Sequence, residues 1–139
     1  MAEPDPSPPP PEPDDVQDGA ARKFQKELNS GLIALVLLSV LDRAVSDLYG
    51  YQIAKQLQGA APDVNVVKQG ALYPVLRSMS ASGLLVSRVV PSYAGPPRRY
   101  YRITDEGRAV LRKWLAIWGQ TRDFVELFTR PAASAQRAD

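Results

Sequence analysis

The sequence contains no cysteine and no histidine. Without cysteine there is no disulfide framework, thiolate metal site or thiol nucleophile. Without histidine the usual general base, the commonest metal ligand and the usual pH switch near neutrality are missing together. Carboxylates remain, but no acidic pair stands at a spacing that marks an active site. Asp105 and Glu106 read instead as charges at a helix start, favourable against the helix dipole. Catalysis, a metal centre and a bound cofactor are therefore not expected. Long apolar runs are scarce as well. The longest, Leu32 to Leu41, has ten residues including Ser39, about half of what a bilayer crossing needs. No membrane span is expected.

What is present is unevenly distributed. The first 21 residues hold seven of the thirteen prolines and six of the fifteen acids, with no lysine or arginine. Such a segment buries too little surface to offset its ordering entropy, so residues 1–21 are expected to be a disordered tail. It lacks the basic start and apolar centre of a secretory signal. Residues 22–139 then hold 17 basic against nine acidic side chains, a net of +8. A body so charged favours a polyanion, and a cytoplasmic location is expected.

The apolar run reads as the middle of a helix from about Lys23 to Arg43, apolar on nearly all sides. In so small a domain, a second subunit is expected to cover part of it, Leu35 included. A second helix is expected at about Leu48 to Leu57, stopped by Gly59, with Ile53, Ala54 and Leu57 inward and Gln52, Lys55 and Gln56 outward. A third runs from about Lys68 to Ser82 and ends at Gly83. Leu72, Val75, Leu76 and Met79 recur at helical spacing and form its buried face. Gln69, Tyr73 and Arg77, four apart, share another.

Two strands follow. Leu84 to Val90 is aliphatic and β-branched, and Arg98 to Ile103 alternates, with Tyr101 and Ile103 inward and Tyr100 and Arg102 outward. Pro91 to Pro97 joins them as a hairpin tip, with Gly95 supplying backbone freedom. A helix, a glycine stop and a basic hairpin in this order read as a winged helix-turn-helix, in which one helix enters a DNA groove and the wing grips the adjoining backbone. The fold class is mostly α with a β-hairpin wing. Thr104 is a good N-cap for a long last helix reaching about Thr129. Along it Leu111, Trp114, Trp118, Thr121, Val125 and Phe128 are spaced 3, 4, 3, 4, 3, a seam of the kind that packs against a partner helix. Gly119 interrupts it, which points to close backbone approach or a bend.

Four segments together carry a resemblance: Tyr49-Gly50-Tyr51-Gln52-Ile53, Gly70-Ala71-Leu72-Tyr73-Pro74-Val75-Leu76, Ser82-Gly83-Leu84-Leu85, and Pro97-Arg98-Arg99-Tyr100-Tyr101-Arg102-Ile103-Thr104-Asp105-Glu106-Gly107. In order and spacing the chain resembles the PadR family of bacterial transcriptional regulators, in the short form with one C-terminal helix. The resemblance implies a homodimer joined through the first and last helices, binding double-stranded DNA at a pseudo-palindromic operator. It also implies repression, relieved by a small planar aromatic effector. In the multidrug-sensing short members a tryptophan of the last helix stacks on the ligand, and Trp118 holds the equivalent place, with Trp114 beside it. The chain departs from the family pattern in having Lys68 and Gln69 where serine and proline usually precede Gly70, Ala71 where threonine is common, and Tyr49 in place of a histidine. Asn65 is left as a substitute helix cap, and the operator sequence does not carry over.

The domain division expected is residues 22–104 as the DNA-binding domain, 105–130 as the dimerisation helix and 131–139 as a second disordered tail. DNA contact is expected from Lys68, Gln69, Tyr73, Arg77, Arg98, Arg99, Tyr100 and Gln52. The dimer interface is expected at Leu35, Leu111, Trp114, Trp118, Val125 and Phe128. Plainer readings stand beside several of these. Arg98 and Arg99 also suit a solvated strand edge, Tyr73 also suits packing between the second and third helices, and Trp118 also suits dimer core without a ligand. A second function class stays open: a winged-helix module docking its basic wing on an acidic protein.

Overall fold

The computed structural model describes residues 6–10, 12–60 and 69–131. The order of elements is α1 (Pro13–Arg43), β1 (Leu48–Tyr49), α2 (Gly50–Ala60), α3 (Gln69–Ala81), β2 (Leu85–Ser92), β3 (Gly95–Ile103) and α4 (Asp105–Thr129), with the sheet ordered β1-β3-β2 and antiparallel throughout.

α1 begins at Pro13, ten residues before the expected start near Lys23, so the second half of the expected disordered tail is helical. Proline at the first helical position carries a preset φ and loses no needed N–H, and Asp14 and Asp15 complement the dipole. Extending a helix already nucleated by its packed part avoids the nucleation cost, which is why so exposed a segment can be ordered. Within the chain α1 is buried on one side only, through Ile33, Leu37, Leu38 and Leu41. Leu32, Leu35 and Val36 are half-buried, leaving apolar surface of α1 for the expected second subunit to cover. By length and composition α1 could cross a membrane, but those four leucine and isoleucine side chains sit in the core of the domain.

That core is assembled from every layer. Leu37 and Leu38 of α1, Ile53 of α2, and Leu72 and Leu76 of α3 are its fully buried centre. Leu48, Met79, Leu84, Leu85, Tyr101, Ile103 and Leu111 close it. The α3 stop at Gly83 is a Schellman cap. Gly83 N–H donates to Ser80 O at 3.1 Å and Leu84 N–H to Met79 O at 2.9 Å, with Gly83 at φ 82°. Thr104 caps α4 as expected, its Oγ1 accepting from Gly107 N–H at 2.9 Å. The same hydroxyl lies 2.7 Å from the Gly83 carbonyl oxygen, tying the start of α4 to the end of α3.

Further local expectations are corrected. Leu48 and Tyr49 are not the first turn of α2 but a short strand, Leu48 opposite Tyr101 and Tyr49 opposite Tyr100; two residues are too few to show a period. α2 runs through Gly59 to Ala60, so that glycine is not its stop. The wing is longer than expected, since β2 continues through Pro91 to Ser92 and β3 starts at Gly95, leaving Tyr93 and Ala94 as the tip. An irregularity between Val90 and Ser92 absorbs Pro91, as bulges do for prolines. Pro96 and Pro97 precede the residues that β1 pairs, where β3 needs no N–H on that side. Gly95 does not adopt positive φ, and a Cβ at Gly119 would meet nothing within 4 Å, so no close backbone approach within this chain accounts for Gly119.

Candidate nucleic-acid interface

α3 packs through Leu72, Leu76 and Met79 and leaves Tyr73 and Arg77 outward. Tyr73 combines packing with exposure. It is 40% exposed, yet its ring lies against Gly50, where an added Cβ would come 2.5 Å from Cε1. Lys68 and Asn65 lie outside the described residues, as does the side chain of Gln69. Gln52 is engaged locally, its Oε1 accepting Tyr49 N–H at 3.1 Å as half of a capping box at the start of α2.

β3 places its side chains on two faces. Tyr101 and Ile103 point into the core and Tyr100 and Arg102 away from it, as the alternation predicts. Arg99 shares the parity of Tyr101, and its Nη1 donates to Ser87 Oγ at 3.0 Å. Burial pushes the Tyr101 hydroxyl pKa up, opposed by the charges of Arg99 and Arg77. On the opposite face Arg98 lies over Tyr49 at 4.6 Å and Arg88 over Tyr100 at 5.4 Å. Tyr49 meets Tyr100 edge-on at 5.3 Å and stacks on Tyr51 at 6.3 Å, and Lys55 stands over Tyr51 at 5.4 Å. Arg88 is ion-paired with Asp47 at 3.0 Å. Among the described residues Arg77, Arg98, Arg99 and Arg102 pair with no carboxylate.

Sequence reading missed this second face. The signal was available in Tyr49, Tyr51 and Tyr100, but only the pairing of β1 with β3 brings them together. It also missed Arg88, a single cation inside an aliphatic strand.

A separate groove of about 430 Å³ lies between α1 and α4, with Leu28, Leu32 and Leu35 on one wall and Trp114, Ile117 and Trp118 on the other. Trp118 and Trp114 are half-buried there. Leu111, expected at the dimer interface, is instead 4% exposed and part of the chain's own core. Val125 and Phe128 are exposed, as are Phe124 and Leu127 beside them.

A three-helix core with a helix-turn-helix pair and a basic hairpin defines a winged-helix protein extended by a long terminal helix. The profile of the Transcriptional regulator PadR-like family matches residues 37–113. The chain belongs to this family, whose members are transcriptional regulators and not enzymes. It is 38% identical over 93 residues to a transcriptional regulator of Mycobacterium tuberculosis, covering 65% of this chain and 75% of that one. Among solved structures it is similar to a PadR-family transcriptional regulator from Eggerthella lenta, with 32% identity, a TM-score of 0.69, and coverage of 84% of this chain and 98% of that one. Bacillus subtilis PadR, solved in complex with operator DNA, shares the fold at a TM-score of 0.55 and 23% identity, over 60% of this chain and 47% of that one.

Proposed function

We propose that the protein is a sequence-specific DNA-binding repressor, acting in the cytoplasm as a homodimer on a pseudo-palindromic operator. The observation that carries the reading is the exposed face of α3, with Tyr73 and Arg77 outward, alongside a wing whose Arg98, Arg99 and Arg102 pair with no carboxylate among the described residues. Unpaired arginines beside an outward helix face are the footprint of a phosphate-and-groove contact. The operator complex of Bacillus subtilis PadR supports the same use of the fold.

The homodimer rests on apolar surface. Phe24 and Leu28 on α1 and Phe124, Leu127 and Phe128 on α4 are large side chains left in water by the single chain, and contiguous patches of that kind mark interfaces. The α1–α4 groove, with two tryptophans in its wall, has the apolar character suited to a small planar aromatic effector. Such a ligand releases DNA only by favouring one separation of the two recognition helices over another.

The test is to isolate bound genomic fragments, then titrate the protein against the recovered duplex and a scrambled one at several salt concentrations. The reading expects preference for the recovered fragment and a steep fall in affinity with salt, with a log–log slope of about −0.9 per phosphate neutralised. Absence of duplex binding at low salt refutes it and leaves docking on an acidic protein. Arg98→Ala and Arg99→Ala should weaken binding to all duplexes and flatten the slope. Gln69→Ala should relax preference at one operator position, by about 1–3 kcal/mol.

A further inference from the structure

Arg98 and Arg99 are adjacent in sequence and opposite in space. Arg99 stands on the α3 side, bonded to Ser87. Arg98 stands on the other side, its guanidinium 4.6 Å from the centre of the Tyr49 ring. That ring is itself fixed from several directions: β1 sets it opposite Tyr100, the Tyr100 ring meets it at 5.3 Å, Tyr51 stacks on it at 6.3 Å, and Gln52 caps its N–H at 3.1 Å. Arg98 has no carboxylate partner among the described residues. A free arginine at such a place samples many rotamers, and binding would have to order it.

We infer that Tyr49 is a positioning residue for DNA binding. Its ring holds Arg98 on the face of the wing away from Arg99, so that the hairpin carries one cation toward each wall of the groove it enters. The inference rests on the DNA-binding reading above. Geometry supports it: the minor groove is only about 6 Å wide with phosphates along both walls, so a hairpin edge bearing cations on opposite faces can meet both strands. Arg88, on the same face as Arg98, is already engaged by Asp47. Arg102, also on that face, lies opposite Val86 toward the base of the hairpin, which leaves Arg98 as the unpaired cation nearest the tip to serve the second strand. A planar guanidinium suits this role, since it keeps its edge donors while its face rests on the ring.

The experiment is a double-mutant cycle on the full chain, with affinity for a duplex measured over a range of salt. Tyr49→Leu keeps apolar bulk and removes the ring; it should weaken binding about two- to five-fold, the worth of an exposed cation–π contact. Tyr49→Phe should restore wild-type affinity. Arg98→Ala should flatten the salt slope by about 0.9, and in that background Tyr49→Leu should cost nothing further. Arg98→Gln, which keeps much of the length without the charge, should also lose its dependence on Tyr49, and serves as the check if Tyr49→Leu lowers the melting temperature. Equal losses from Tyr49→Leu with and without Arg98 would overturn the inference, as would a Tyr49→Phe protein as weak as Tyr49→Leu. A wild-type protein that binds no duplex refutes the DNA-binding reading itself, whereas binding with additive mutants refutes only the role of Tyr49.

Discussion

Two glycines should respond differently to the same added methyl group. At Gly107, in the first turn of α4, a Cβ would lie 3.1 Å from the Leu84 carbonyl carbon, closer still to its oxygen, and 2.8 Å from Ile103 Cγ1. The carbonyl cannot swing aside, because it accepts Thr104 N–H at 3.0 Å. Overpacking of this kind costs about 1–3 kcal/mol, and losing the Thr104 bond adds about 0.5–1.5 kcal/mol. Alanine's better helix propensity returns at most about 1 kcal/mol. Gly107→Ala should therefore destabilise by about 1–3 kcal/mol, a fall of roughly 3–10 °C in melting temperature for a chain of this size. At Gly50 the obstacle is the end of the Tyr73 ring, with Cζ and Oη each 2.9 Å from the added Cβ. That ring is partly exposed and can turn outward, so stability should stay within about 0.5 kcal/mol. Its displacement should instead alter DNA affinity, because Tyr73 stands on the outward face of α3. Thermal unfolding and duplex titration of both variants decide the matter. A Gly107→Ala protein that melts like wild type, or a Gly50→Ala protein that melts low with unchanged DNA affinity, would refute the reasoning.

Thr104→Ala should cost about 1–2 kcal/mol through loss of the α4 cap, with Thr104→Ser largely restoring it, as read by chemical denaturation. Deleting residues 1–21 should leave the melting temperature nearly unchanged, because the helical part of that segment is exposed, and should strengthen non-specific DNA binding at low salt by removing six acids. Trp118→Ala should abolish fluorescence quenching by planar aromatic compounds while sedimentation still reports a dimer; unchanged quenching would move the ligand elsewhere. Tyr101 has a raised folded pKa through burial, so its stabilising effect is complete below the ordinary phenol value of about 10. It is lost as pH climbs toward the folded value, because the unfolded chain ionises first. Tyr101→Phe should show a shallower loss of stability between pH 9 and 11.

How far the sequence could be read depended on the length over which each signal repeats. The buried face of α3 was legible because Leu72, Leu76 and Met79 recur over two turns, and the inward set of β3 because Tyr101 and Ile103 alternate with Tyr100 and Arg102. Gly83 and Thr104 were legible because positive φ and side-chain capping are local chemistry. β1 was hidden: two residues carry no period, and their strand character comes only from pairing with Tyr100 and Tyr101, some fifty residues away. The helical start of α1 was hidden for a related reason. Residues 13–21 offer nothing to bury, and their order depends on being continuous with a helix packed twenty residues further on. The opposition of Arg98 and Arg99 was legible in principle from the strand period, whereas the anchoring of Arg98 required knowing that β1 exists.

The seam on α4 shows why spacing alone does not identify a partner. Leu111, Trp114, Trp118, Val125 and Phe128 follow one period, yet the chain divides them. Leu111 is buried in the core of its own domain, Trp114 and Trp118 face the groove toward α1, and Val125 and Phe128 lie in solvent. α1 is divided the other way, with Ile33 to Leu41 in the core and Phe24 and Leu28 outside. Each helix thus packs against the domain at one end and offers apolar side chains to water at the other. Two such halves in a second copy would complement these, since an isologous contact brings the same pair of surfaces together twice. The groove with its two tryptophans sits where the packed and unpacked parts of both helices meet. In the homodimer proposed above, a guest there would meet α1 and α4 of one chain and the neighbouring subunit together, a placement that could couple binding to the spacing of two recognition helices.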